Sequence, residues 1–192
     1  MLIHQRVDVA PIEDQAVGVS ANFLSAKCRV RADLDGWGTC AIEPISAGET
    51  VAAFGGRCVS RSALDESGER PTHSVQIDDD LFIVTENGAP PGDTIGHSCS
   101  PNCGIVGGIL VVAMRDIAVG EILSYDHAMT MGCDLDEFRC ACGSPACRRM
   151  VTGRDWMLPE LQIAYRGFFS PYLAKRIGGR VRLDAERRAF AI

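Results

Sequence analysis

Apolar residues fall in short runs broken every few positions by Gly, Asp or Ser: GTCAIE, TVAAFGG, SVQID, LFIVT and GILVVAMRDI. Runs of this length predict strands, and their succession up to about residue 130 predicts a mostly β body. GAPPGD at 88–93 suits neither a helix nor a central strand and is read as a loop. SRSALDESGER at 60–70 has room for one short helix, with Ser60 or Ser62 as its cap. From Asp155 the spacing turns helical, in DWMLPELQIAYRGFFSPYLAKRIGG. Gly167 and Pro171 interrupt it and Gly178-Gly179 reads as a stop, so two short helices are expected. There is no internal repeat and no low-complexity segment.

A chain of 192 residues, 46% hydrophobic and 23% charged, fits one folded domain with appendages. It holds no apolar run of the roughly 20 residues a membrane helix needs. The opening MLIHQRVDVAPIEDQ has no basic end followed by an apolar core, so a soluble protein off the membrane, not secreted by the usual signal, is expected; with no basic nuclear import cluster, the cytoplasm is its default location. The net charge of −6 argues against direct binding of nucleic acid and suits a cationic partner. Charge is also polarised: residues 1–153 carry 11 basic against 21 acidic residues, a balance of −10, while 154–192 carry 8 against 4, a balance of +4.

Nine cysteines are an odd number, and several sit alone in apolar surroundings, as in AKCRV and GTCAI. Reduced thiols, some of them on a metal, fit this better than disulfides. FRCACGSPACRR places Cys140, Cys142 and Cys147 in a C-x-C-x4-C array in which Gly143 and Pro145 turn the chain back on itself. Three thiolates are most of a tetrahedral zinc site and need one more ligand. GHSCSPNC at 96–103 offers Cys99 or Cys103, so zinc would join segments about 40 residues apart.

With those stretches in hand the sequence resembles the SET-domain family of protein lysine methyltransferases, in its members with a cysteine-rich post-SET segment. GWG (Gly36, Trp37, Gly38) looks like the family's opening glycine motif, and AGETVAAFGG (47–56) is similar to the strand that follows. GHSCSPNC resembles N-H-S-C-x-P-N, VGEILSYDH (119–127) is similar to G-E-E-L-x-F-D-Y, and CACGSPAC closes the series as post-SET. The resemblance covers roughly residues 28–150. It implies an α+β, mostly β SET fold of short sheets with a threaded, knot-like core. In that scheme 1–27 is a lead-in, 28–130 the SET domain and 131–153 the post-SET segment; the C-terminal helical extension, 154–192, lies outside the resemblance and is expected either to pack on the body or to form a dimer contact. The resemblance also implies that Cys99 is the fourth zinc ligand and Cys103 a buried bystander. S-adenosyl-L-methionine (SAM) would bind on one side and a lysine enter through a channel from the other. Gly36, Trp37 and Gly38 would approach the cofactor through their backbone, Gly96 and His97 would lie against it, and His73 near it.

Three positions depart from the family pattern. Gly96 replaces an asparagine, Phe54 replaces the tyrosine of Y-x-G, and His127 replaces the catalytic tyrosine. Tyr125, ahead of Asp126, shapes the channel. Methyl transfer to an amine requires amine, methyl and sulfonium in line, and a lysine that has lost its proton, which at pH 7 costs about 4 to 5 kcal/mol. A SAM-dependent transfer to lysine in a basic protein or peptide, such as a histone or ribosomal protein, is the reading taken for a monomer or homodimer. The alternatives are a binding module that has lost transfer, and an altered reaction on SAM with His127 as base.

Overall fold

The computed structural model describes residues 23–32, 38–67, 74–85 and 91–189. In chain order the first elements are β1 (Phe23–Leu24), β2 (Cys28–Arg31), β3 (Gly38–Ala41), β4 (Thr50–Ala53), β5 (Arg57–Ser60), α1 (Arg61–Ser67), β6 (Ser74–Asp78) and β7 (Leu81–Val84). There follow β8 (Gly96–His97), β9 (Cys103–Val106), β10 (Leu110–Ala113), β11 (Ser124–Tyr125), β12 (Phe138–Arg139), β13 (Met150–Val151), α2 (Pro159–Ala164) and α3 (Pro171–Ala189). The strands assemble into small sheets: β1-β4-β10-β9, β5-β7-β6, and the pairs β2-β3, β8-β11 and β12-β13.

Local chemistry accounts for the joints. Gly107 and Gly108 both take left-handed φ values, +63° and +87°, which side-chain-bearing residues resist; with Ile109 they form the three-residue turn that folds β9 back on β10. Ser60 caps α1, its Oγ accepting from Ala63 N at 3.2 Å. Phe23 and Leu24, inside the expected lead-in, pair with Ala53 and Ala52 and so extend the four-stranded sheet.

Three buried apolar clusters lie among the described residues, and the largest holds the body together. Val51, Ile105, Val111, Leu123 and Met129 are fully buried in it, and so is Leu173 of α3, with Trp156, Tyr165, Phe169 and Tyr172 around it. The C-terminal segment therefore packs on the body. Gly167, at φ +89°, and Pro171, the first residue of α3, do interrupt the helical stretch. The expected stop at Gly178-Gly179 is not there: α3 runs on to Ala189. A glycine inside a helix costs only about 1 kcal/mol relative to alanine, and Arg176 and Arg180, on either side of the pair, both lie 5.7 Å from the Trp156 ring centroid. Among the described residues no helix is long and apolar enough to cross a membrane.

Candidate active site and metal centre

β8 and β11 pair in parallel, Gly96 opposite Ser124 and His97 opposite Tyr125. The chain between them runs out through the β9–β10 hairpin and returns. Asn102 fastens the return, its Nδ2 donating to Ile122 O and its Oδ1 accepting from Ser124 N, both at 2.9 Å. Asp126 then caps a short 3-10 turn, His127–Met129, by accepting from Ala128 N at 3.0 Å. Its carboxylate has no exposed surface. Such a charge needs close partners, and it has them: Arg148 donates to both oxygens at 2.6 and 2.7 Å, and Tyr165 Oη donates at 3.0 Å. Arg148 Nε also donates to Asp155 at 2.8 Å, and Thr152 Oγ1 donates to the other Asp155 oxygen at 2.7 Å.

Beyond the turn opens a cavity of about 530 Å³. Phe54, His97, Tyr125, His127 and Phe138 form its aromatic wall, and Asp93, Asp136 and Glu137 its acidic one. Tyr125 and His127 stack with centroids 5.0 Å apart at 24°, and His97 and Phe138 meet His127 edge-on at 5.3 and 5.1 Å. Phe54 closes on Tyr125 at 5.6 Å. Burial, reinforced by the neighbouring His97, pushes the His127 imidazole down to about 4. It is neutral at pH 7, and its ring nitrogens make no hydrogen bond among the described residues. Burial lowers His97 as well, against the pull of Asp126. His97 Nδ1 accepts from His127 N at 3.3 Å, so the proton is assigned to Nε2, which faces Cys99 Sγ at 3.3 Å.

The sulfurs of Cys99, Cys140, Cys142 and Cys147 lie within 4.8 Å of one another, with Cys99 and Cys140 at 3.9 Å. Zinc–sulfur bonds of about 2.3 Å in a tetrahedron put sulfurs about 3.8 Å apart. The set therefore fits zinc in number, element and spacing. Burial opposes a charge on Cys142, but main-chain N–H groups of Cys99 and Ser144 and the adjoining thiols bring it down to about 6, while burial pushes Cys140 up to about 12. Ionised together, four sulfurs this close would need a cation between them. Cys103 is not among them. It is fully buried, pushed up to about 12 by burial, and its Sγ donates to Asn102 Oδ1 at 3.5 Å.

The sequence model of the SET domain matches residues 36–128. The chain carries a SET domain. An H3 lysine-4 specific histone-lysine N-methyltransferase of Mycosarcoma maydis is 32% identical over 130 residues, 60% of this chain and 9% of that protein. Histone-lysine N-methyltransferase set1 of Dictyostelium discoideum is 30% identical over 148 residues, 68% of this chain and 10% of that protein. The chain thus spans about a tenth of the length of these relatives. Among solved structures, Arabidopsis thaliana SUVH6 in complex with SAM superposes with a TM-score of 0.56 at 18% identity, over 67% of this chain and 33% of that one. KRYPTONITE in complex with mCHH DNA, an H3(1-15) peptide and SAH superposes with a TM-score of 0.52 at 20% identity, over 67% and 30%.

The SET fold brings His97, Tyr125 and His127 to one cavity, with Gly96 at its edge and Gly38 buried at the start of β3. Gly36, Trp37 and His73 lie outside the described residues. Arg148, Asp155, Tyr165 and Phe138 were not legible in the sequence. The arginines after Cys147 were visible, but no local signal says that one of them reaches a carboxylate 22 positions earlier.

Proposed function

We propose that this SET domain transfers a methyl group from SAM to a lysine side chain of a basic protein or peptide. The observation that carries the reading is the parallel β8–β11 pair, which sets His127, Tyr125 and His97 around a single cavity beside the four-sulfur cluster. Its volume lies within the range of about 300–1,000 Å³ usual for small-molecule sites. The acidic wall of Asp93, Asp136 and Glu137 suits a cationic sulfonium and a lysine ammonium. Bound there, SAM supplies a methyl group on a positively charged sulfur that an amine displaces in line. Cys99, Cys140, Cys142 and Cys147 would hold zinc, whose service is to fix the post-SET segment against the cavity.

His127 works as a neutral group. A lysine ammonium near 10.4 loses its proton to a base at about 4 only at a deficit of about 6 pK units, about 9 kcal/mol. The ammonium therefore gives up its proton by equilibrating with solvent at ambient pH, at about 4 to 5 kcal/mol at pH 7, and the ring nitrogen of His127 accepts a hydrogen bond from the remaining amine N–H and holds its lone pair on line. The same low basicity weighs against an altered reaction with His127 as base. One observation favours a quieter reading, a SAM-binding module without transfer: Phe54 and His127 leave this wall without two phenol hydroxyls of the family pattern.

Titration calorimetry with SAM, followed by transfer of labelled methyl to an H3 N-terminal peptide and to mixed core and ribosomal proteins, tests the proposal. Binding with transfer is expected. Binding without transfer to any of them establishes the module reading, and absence of SAM binding removes both.

A further inference from the structure

Arg148 touches three parts of the site at once. Its main-chain N–H donates to Cys99 Sγ at 3.4 Å, its terminal nitrogens grip both oxygens of Asp126, and its Nε holds Asp155. The residue after it, Arg149, has φ +66°, the single left-handed non-glycine among the described residues. An arginine there is disfavoured unless its surroundings demand it. Arg149 O accepts from Cys140 N at 2.9 Å, so this turn lays the backbone along the cluster and sends the Arg148 side chain inward. Asp126 in turn caps the 3-10 turn that begins with His127, whose main-chain N–H reaches His97 Nδ1.

We infer that Arg148 is a positioning residue, a strut that transmits the geometry of the four-sulfur cluster through Asp126 to the ring of His127. The inference rests on the proposed SAM-dependent reading for its consequence in methyl transfer; the strut itself stands on contacts within the chain. A planar guanidinium matches a carboxylate with two parallel bonds, which a lysine ammonium cannot do, so the match sets orientation as well as charge. Once the cluster closes around its ion, the Arg148 main chain is fixed, the guanidinium fixes Asp126, and the cap fixes where the imidazole leaves the backbone.

The test compares Arg148→Gln and Asp126→Asn, each alone and combined, on zinc-loaded protein. Metal content is measured by atomic absorption, and the His127 imidazole is followed by nitrogen-15-edited NMR, assigned through His127→Asn. Each single variant is expected to keep one zinc per chain, since the side chain of Arg148 holds no sulfur, and to move the His127 ring signals. The combined variant is expected to move them no further, because the two groups act as a unit. If a single variant fails to fold for want of its partner, the combined variant, in which the charges leave together, carries the comparison against wild type. His127 signals that overlay those of wild type with zinc retained would overturn the strut. Loss of zinc from folded Arg148→Gln would overturn it too, by giving the guanidinium to the metal site. SAM calorimetry on wild type is read separately: its failure removes the functional reading and leaves the strut to the NMR result.

Discussion

An imidazole at position 127 differs from a phenol in ways that can be measured. The ring titrates at about 4 in the folded protein, against an ordinary 6.5. Above pH 6.5 it is neutral folded or unfolded. Between 6.5 and about 4 only the unfolded chain takes the proton, so stability falls as pH drops through that window. His127's share of the loss by pH 4.5 is about 2 to 3 kcal/mol. Urea unfolding at pH 7 and 4.5 should show wild type losing that much more than His127→Asn; equal losses would mean the ring is not buried in this way. Gly96 carries the other residue-scale prediction. A Cβ built on it meets nothing within 4 Å, so the asparagine of the family pattern fits sterically. One added hydrogen bond of about 1 kcal/mol should tighten SAM about fivefold in Gly96→Asn, and calorimetry that finds unchanged binding would place the cofactor away from β8.

Elements differ in how much of themselves they reveal. The turn from β9 at Gly107 and Gly108 was not read from the sequence, whereas β10 was legible as part of the apolar run GILVVAMRDI, a local signal. The α1 cap was legible for the same kind of reason, a serine oxygen within reach of its own helix. The length of α3 was not. A glycine pair weakens a helix but does not end it, and the contacts that hold α3 come from Trp156 and the distant body core. Leu173, fully buried at the contact, is expected to cost about 2–5 kcal/mol when replaced by alanine. Denaturant unfolding of Leu173→Ala that matches wild type would show α3 to be dispensable to the fold.

For the molecule as a whole, the four sulfurs close a long loop. Cys99 and Cys140 are neighbours in space although 41 positions apart in sequence, and an ion held across that span would stabilise the fold by binding the native arrangement and not the unfolded chain. Cys99→Ala should therefore lose zinc and unfold at a lower temperature, whereas Cys103→Ala, whose thiol lies on Asn102 and outside the sulfur cluster, should keep a full complement of metal. Metal analysis showing the reverse would exchange their roles.

The sequence by itself determined what depends on near neighbours. Its short apolar runs set β3, β4, β6, β7 and β10, Ser60 set the α1 cap, and the spacing of Cys140, Cys142 and Cys147 set most of a sulfur cluster. Folding in three dimensions decided which cysteine joins them, that Arg148 lies on Asp126, and that His127 is held neutral. Those outcomes depend on burial and on distances between segments far apart in the chain, and no local preference encodes either.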